Sequence, residues 1–299
     1  MQKIKNKLLV ILGPTASGKT ELSVKFAKKY NGQIISADSR QVYKGLDIGS
    51  GKITKSQMQG IPHYLLDVNS PKRKFSVNQY QKLTLKSIKN IYKKNNLPIL
   101  VGGTGFYIQS IVDGIIIPEI KPNWKLRRDL EKKSNEELYK IILEKDPERA
   151  KAIDKNNPHR LIRAVEIVLT TKKPVPILKK SKNSFEILQI GIEISKENLK
   201  KNIKKRLEKR LKNNALINEV KKLHTSGLSW KRLEEFGLEY KFVAQYLQNK
   251  ISLGEMKSKI QIESEHYAKR QMTWFKRDRK IYWIKNYSQA EKLIKNFLQ

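Results

Sequence analysis

The sequence contains no cysteine and only four histidines in 299 residues. That excludes disulfides, thiol nucleophiles and thiolate metal centres, and the histidines show no zinc-ligand spacing. Acidic residues are scarce as well: 28 Asp and Glu face 63 Lys and Arg, a net charge of +35. Long apolar runs are missing too, since nowhere do about 18 apolar residues follow one another, as a membrane helix requires. MQKIKNK runs straight into a strand pattern rather than an apolar signal core with a cleavage site, so a cytoplasmic location off the membrane is expected. Chemistry is left to Asp, Thr, Lys and Arg. So large a positive excess calls for a polyanion, with nucleic acid the first candidate; the alternative is compositional drift, with Lys as a solvated face.

What is present is an alternation. LLVIL, GQIISADS, HYLLDV and LPILVGGTG are short apolar runs separated by helical patterns, which predicts a parallel sheet with helices on its faces. In SVNQYQKLTLKSIKNIYKK, Ser76 and Gln79 have capping-box spacing, so a crossover helix should feed the strand Leu97 to Val101. From 118 to 185 the strand signals stop, and Pro122, Pro147, Pro158 and Pro174 punctuate short helical patterns. The expected architecture is an α/β P-loop core of 1–117 and 186–299, with an inserted helical subdomain at 118–185. The Lys-rich tract Lys172 to Lys182 reads as an exposed loop. ILQIGIEI returns the chain to the sheet, long basic helical patterns follow, and IYWI is a last strand candidate.

LLVILGPTASGKTELS carries the sharpest signal. Gly13, Gly18, Lys19 and Thr20 fit the phosphate-loop pattern between a strand and a helix. The loop of Gly13, Pro14, Thr15, Ala16, Ser17 and Gly18 would cradle a di- or triphosphate on its successive backbone N–H groups at the helix N-terminus. Lys19 would supply an ammonium for the outer phosphate, and Thr20 a hydroxyl for Mg2+. Asp38 and Asp67 are the carboxylates nearest the role of a magnesium-holding strand-end Asp. Asp38 follows a strand at the carboxyl edge of the sheet, which suits a general base, although Asp followed by Ser equally caps a turn. GGTGFY, at another strand end, reads either as a tight turn or as a close backbone approach to a ligand.

GPTASGKT, ADSRQVYKGLDIGSGK, VGGTGFY, NPHRLIRAVEIVLTTKKP and YAKRQMTWFKRD, in this order, resemble the tRNA isopentenyltransferase family from about Leu8 to Arg277. The resemblance implies transfer of a dimethylallyl group from its diphosphate to the exocyclic amine of the adenine 3′ of the tRNA anticodon. The loop would then hold an isoprenoid's diphosphate, with Mg2+ at Thr20. It implies catalytic roles for Asp38 as the base, Thr15 near the bridging oxygen, Lys19, and an arginine matched by Arg206, with Arg210 as the alternative. It implies tRNA contacts at Asp38, Ser39, Arg40, Gln41, Thr104, Arg127, Arg160 and Arg163. Arg160 and Arg163 stand three apart on a helix opened by Pro158, so both could face one groove; solvated helix charges are the alternative. LEEFGLEYK stands where the family commonly has Ile-Gly-Tyr-Lys. Lys269, Arg270, Lys276 and Arg277 surround Trp274 and Phe275, a mixture that suits phosphate contact and packing. The expected partners are a tRNA anticodon stem-loop and dimethylallyl diphosphate, met by a monomer at a cleft between loop and insertion; a small-molecule or nucleoside kinase is the rival reading.

Overall fold

The computed structural model describes residues 6–118, 120–181 and 184–299. They divide into two units, 6–114 with 184–299, and 115–118 with 120–181. In the first unit the chain runs through β1 (Lys7–Leu12), α1 (Lys19–Lys29), β2 (Gly32–Ala37), α2 (Lys55–Met58) and β3 (His63–Tyr64). It continues through α3 (Val77–Lys93), β4 (Leu97–Gly102) and α4 (Gly105–Val112). The second unit holds β5 (Ile115–Ile116), α5 (Trp124–Leu130), α6 (Asn135–Lys145), α7 (Pro147–Ala152), α8 (Pro158–Thr171) and β6 (Lys179–Lys180). Back in the first unit come β7 (Glu186–Ile192), α9 (Lys196–Leu211), α10 (Ala215–Thr225), α11 (Trp230–Glu235) and α12 (Leu238–Leu247). α13 (Leu253–Phe275), β8 (Ile281–Ile284) and α14 (Tyr287–Leu298) close the chain.

Six strands form one sheet in the order β3-β2-β4-β1-β7-β8, each pair parallel. Because both faces are covered, β1 reads as an unbroken apolar run rather than an alternation. The alternation is still there in the packing. Leu9 and Ile11 join Val24 and Phe26 of α1 and Ile294 of α14 on one face. Leu8, Val10 and Leu12 join Ile88 of α3 and Ile108 of α4 on the other. The predicted crossover helix is α3, with the Ser76–Gln79 capping box formed. HYLLDV is strand only at His63–Tyr64: Leu65 at φ 63° and Asp67 at φ 56° turn the chain out of extended geometry. IYWI is the strand β8.

A third apolar cluster joins Val42, Tyr43 and Leu46 to the helices α9 to α13. The chain between β2 and α2 is thereby built into a helical layer.

The second unit has its own core of Leu130, Leu138, Ile142, Leu161 and Val165. Among the described residues its strands are β5 and β6, which pair antiparallel where the segment's two ends come together, with Ile115 opposite Lys180. Lys172 ends α8 in left-handed geometry, so the Lys-rich tract begins as a turn and includes β6. Glu166, fully buried, accepts bonds from Arg127 Nε (2.8 Å) and Nη2 (2.7 Å), from Arg163, and from the Asn123 amide (2.6 Å). Burial would raise its pKa, but the two guanidiniums and the amide outweigh that and hold the carboxyl below its usual range. Its contribution to stability is therefore full above the ordinary glutamate range and is lost as pH falls through the lowered value. Glu166→Gln leaves two arginines without a counter-charge and is expected to destabilise the unit by about 3 kcal/mol, measured by urea denaturation.

Candidate functional site

Between β1 and α1 the chain turns through Gly13 (φ 152°), Ala16 (φ 61°) and Gly18 (φ 89°), and α1 starts at Lys19 with no side-chain cap. A side chain would be strained at Gly13 and at Gly18. The uncapped first turn leaves amides and the positive end of the helix for an anion. Thr15 to Thr20 line a cleft of about 570 Å³ whose wall also includes Asp38, Gln41, Arg206, Lys209 and Tyr267. It lies beyond the carboxyl ends of the parallel strands, where open α/β sheets bind ligands.

Lys19 Nζ donates to Pro14 O at 2.6 Å. Burial, reinforced by the Arg206 charge and opposed by Asp38, lowers its pKa to about 8. One face of α9 lies against the loop: Asn202 Nδ2 donates to Ala16 O at 3.1 Å, and Arg206 Nη1 to Thr15 Oγ1 at 2.7 Å. Burial, then the neighbouring Arg210, lowers the Arg206 pKa to about 10, while Glu239 and Asp38 oppose that. Arg210 is itself buried and bonded to Glu239, so of the two candidate arginines it is Arg206 that meets the phosphate loop.

Asp38 ends β2. Its Oδ1 accepts the Arg40 amide at 2.8 Å and the Gln41 amide at 3.3 Å, so the turn-capping role is present. A carboxylate has acceptor capacity beyond these two bonds. Thr104 Oγ1 accepts the Ser39 amide at 3.0 Å, which joins the β2 and β4 strand ends. A second hollow of about 400 Å³ shares Thr15, Asp38, Ser50, Arg206, Arg210 and Tyr267 with the first and adds Ser39, Arg40, Phe236, Phe242 and Arg270. Asp38, Thr15 and Arg206 thus stand on the wall common to both hollows. All lining residues belong to the first unit.

Arg40 Nε is anchored on Phe236 O at 2.6 Å, and Gln41 Nε2 on Gly51 O at 3.3 Å. Asp67 pairs with Lys52. In the second unit Arg127 and Arg163 are drawn onto Glu166, while Arg160 is exposed. The two arginines three apart on α8 therefore do not present equivalent free charges. Lys269 and Arg270 of α13 and Lys276 and Arg277 just after it are exposed, Phe275 is buried, and Trp274 packs edge-on to Phe106.

Motif reading missed several groups. Tyr267 lines both hollows, and burial followed by the Asp38 charge raises its pKa to about 12. Glu219 accepts the amides of Asp47 (3.0 Å), Ile48 (2.6 Å) and Gly49 (3.0 Å) and the Tyr240 hydroxyl (2.8 Å), pinning the loop that forms another wall. Gln271 bonds to Thr15 and Gly103. Tyr267 and Gln271 lie in the quoted stretch YAKRQMTWFKRD, and their i, i+4 spacing hints at a shared face, while nothing local marks Glu219.

Among the described residues no group of three or more His, Asp or Glu gathers as a metal centre. Mg2+ does not need one, because it commonly keeps several waters and takes substrate phosphate oxygens with one or two protein ligands. The Thr20 hydroxyl, exposed to the same cleft as Asp38, fits that donor set. No described helix is long and apolar enough to cross a membrane.

The family model described as IPP transferase matches residues 41–278. A tRNA dimethylallyltransferase from Acetivibrio thermocellus is 40% identical over 301 residues, covering 97% of this chain and 96% of that protein. One from Staphylococcus epidermidis is 41% identical over 287 residues, covering 93% and 86%. The crystal structure of the full-length tRNA isopentenylpyrophosphate transferase from Bacillus halodurans superposes with a TM-score of 0.74 at 34% identity, over 98% of this chain and 97% of that one. A eukaryotic dimethylallyltransferase captured acting on tRNA shares the fold at TM-score 0.76 and 24% identity, over 98% of this chain and 77% of that one. With a match over most of its length and relatives of this identity end to end, the chain belongs to the IPP transferase family.

Proposed function

We propose that this prenyl transferase moves a dimethylallyl group from dimethylallyl diphosphate to the N6 amine of the adenine 3′-adjacent to the anticodon of tRNA, releasing diphosphate. The observation that carries the reading is the shared wall. Thr15 of the phosphate loop, Arg206 bonded to it, and Asp38 all line both hollows. The allylic C–O bond breaks, the C–N6 bond forms, and the N6 proton passes to an Asp38 carboxylate oxygen. Negative charge grows on the departing diphosphate, where loop amides, Lys19 and Arg206 are already in place. Thr20 would hold Mg2+, which supplies further charge neutralisation when bound. The adenine has to leave its stack to reach Asp38, and Ser39, Arg40 and Phe236 line the hollow it would enter. Thr104 sets this wall through Ser39, and Gln41 through its bond to the 50–51 turn. Arg160, with the exposed parts of Arg127 and Arg163, offers charge to tRNA phosphates. We place this reaction in the cytoplasm, on a single copy of the chain.

Purified protein incubated with labelled dimethylallyl diphosphate, Mg2+ and unmodified tRNA is expected to label the tRNA at that adenine. Absence of label, with phosphate transferred from ATP to a small acceptor instead, overturns the reading in favour of a kinase.

A further inference from the structure

Gln271 is buried at 6% exposure in the C-terminal half of α13, 256 residues from Thr15 in sequence. Its Oε1 accepts the Thr15 amide at 2.8 Å, and its Nε2 donates to Gly103 O at 2.8 Å. Both partners matter to the proposed reaction. Thr15 is held from the other side by Arg206, through its hydroxyl. Gly103 precedes Thr104, whose hydroxyl takes the amide of Ser39 beside Asp38. A single side chain therefore links the loop for the leaving group to the strand end that sets the base. The space is closely matched: a Cβ on residue 103 would lie 2.2 Å from Gln271 Nε2, so glycine there leaves room for the amide.

From this we infer that Gln271 is a positioning residue that sets the separation and orientation of Thr15 relative to Asp38, and so aligns the allylic carbon with the incoming amine. The inference rests on the function proposed above. Only an amide of this length donates and accepts at once: Glu offers two acceptors, one of them facing the Gly103 carbonyl, Met offers neither bond, and Asn is one carbon short. Misplacement of reacting groups by about 1 Å costs on the order of 100-fold in rate.

The test is single-turnover transfer at saturating substrates by Gln271→Glu, Gln271→Met, Thr15→Ala and the double variant Thr15→Ala/Gln271→Met. Melting curves and tRNA affinity are measured alongside. Wild-type label transfer in the same assay checks the underlying function, so failure there is distinct from failure of the inference. The expected result is a fall of about 10- to 100-fold in the chemical rate for folded Gln271→Glu and Gln271→Met, with tRNA affinity within about threefold. The losses should be less than multiplicative in the double variant, because part of what Gln271 does is to hold the Thr15 hydroxyl in place. If Gln271→Met does not fold, Gln271→Glu, which keeps the Thr15 bond, carries the rate comparison alone. Rates within twofold of wild type in folded variants, losses expressed only in tRNA affinity, or multiplicative losses in the double variant overturn the inference.

Discussion

Asp38→Asn is expected to lower the single-turnover rate of prenyl transfer by about 10²- to 10⁴-fold, the range spanned by positioned general bases. Binding of unmodified tRNA should remain close to wild type. The substitution separates the turn cap that Asp38 forms from the base role proposed for it. Its Oδ1 caps the turn by accepting the Arg40 and Gln41 amides, and the asparagine carbonyl oxygen keeps that ability. What asparagine loses is a site for the N6 proton. Asp38→Ala removes cap and base together, so it should add a loss of tRNA binding to the loss of rate. Rate by chemical quench and affinity by filter binding decide the matter: parallel losses of both in Asp38→Asn would mean that the carboxylate serves only the turn.

The second large effect is a pH dependence. Lys19 has to be cationic to meet a diphosphate, and in the free protein its pKa is lowered to about 8, chiefly by burial. As pH rises through 8, kcat/KM for dimethylallyl diphosphate is expected to fall about tenfold per unit towards the level of Lys19→Met, because the competent protonated fraction falls at that rate. Above about 10 the Arg206 guanidinium begins to follow, and a second decline sets in. Lys19→Met should start 10- to 100-fold low, roughly the value of a charge-assisted bond, and run flat from pH 8 to 10. Stability moves the opposite way. The folded pKa lies below the unfolded 10.5, so keeping Lys19 charged costs stability in full below about 8, and that cost is relieved as pH rises towards 10.5. Activity lost with no fall in melting temperature therefore identifies deprotonation rather than unfolding. A flat profile for the wild type would show that bound substrate contacts lie elsewhere.

The phosphate loop, the strand alternation and the capping box at Ser76 were legible because each depends on neighbours within a few residues. Left-handed geometry at Gly18, the N-cap of α3 and the two-faced packing of β1 are local consequences of residue type and spacing. HYLLDV misled for the same kind of reason: its residues favour a strand, but Leu65 is buried at positive φ by packing that no local pattern encodes. Arg206 and Arg210, four apart on α9, share a helix face and could not be separated by spacing. Glu239, on another helix, takes Arg210 and leaves Arg206 for Thr15. Arg127 reads as a tRNA contact, and Arg163 as a tRNA contact or a solvated helix charge, until Glu166 is seen buried between them.

By itself, then, the sequence determined the kind of fold and the place of the phosphate-type loop, and pointed to Asp38, Lys19 and Thr20 as the candidate reactive groups. These follow from glycines, periodicities and motifs whose physics acts over one turn of chain. Only the tertiary structure decided which arginine completes the loop, which charges are consumed by internal partners, and that Glu219, Tyr267 and Gln271 shape the walls. Such assignments turn on which donors and acceptors meet when segments as distant as Thr15 and Gln271 are brought within 2.8 Å. A buried polar group must find its partner wherever the packing of the core delivers one.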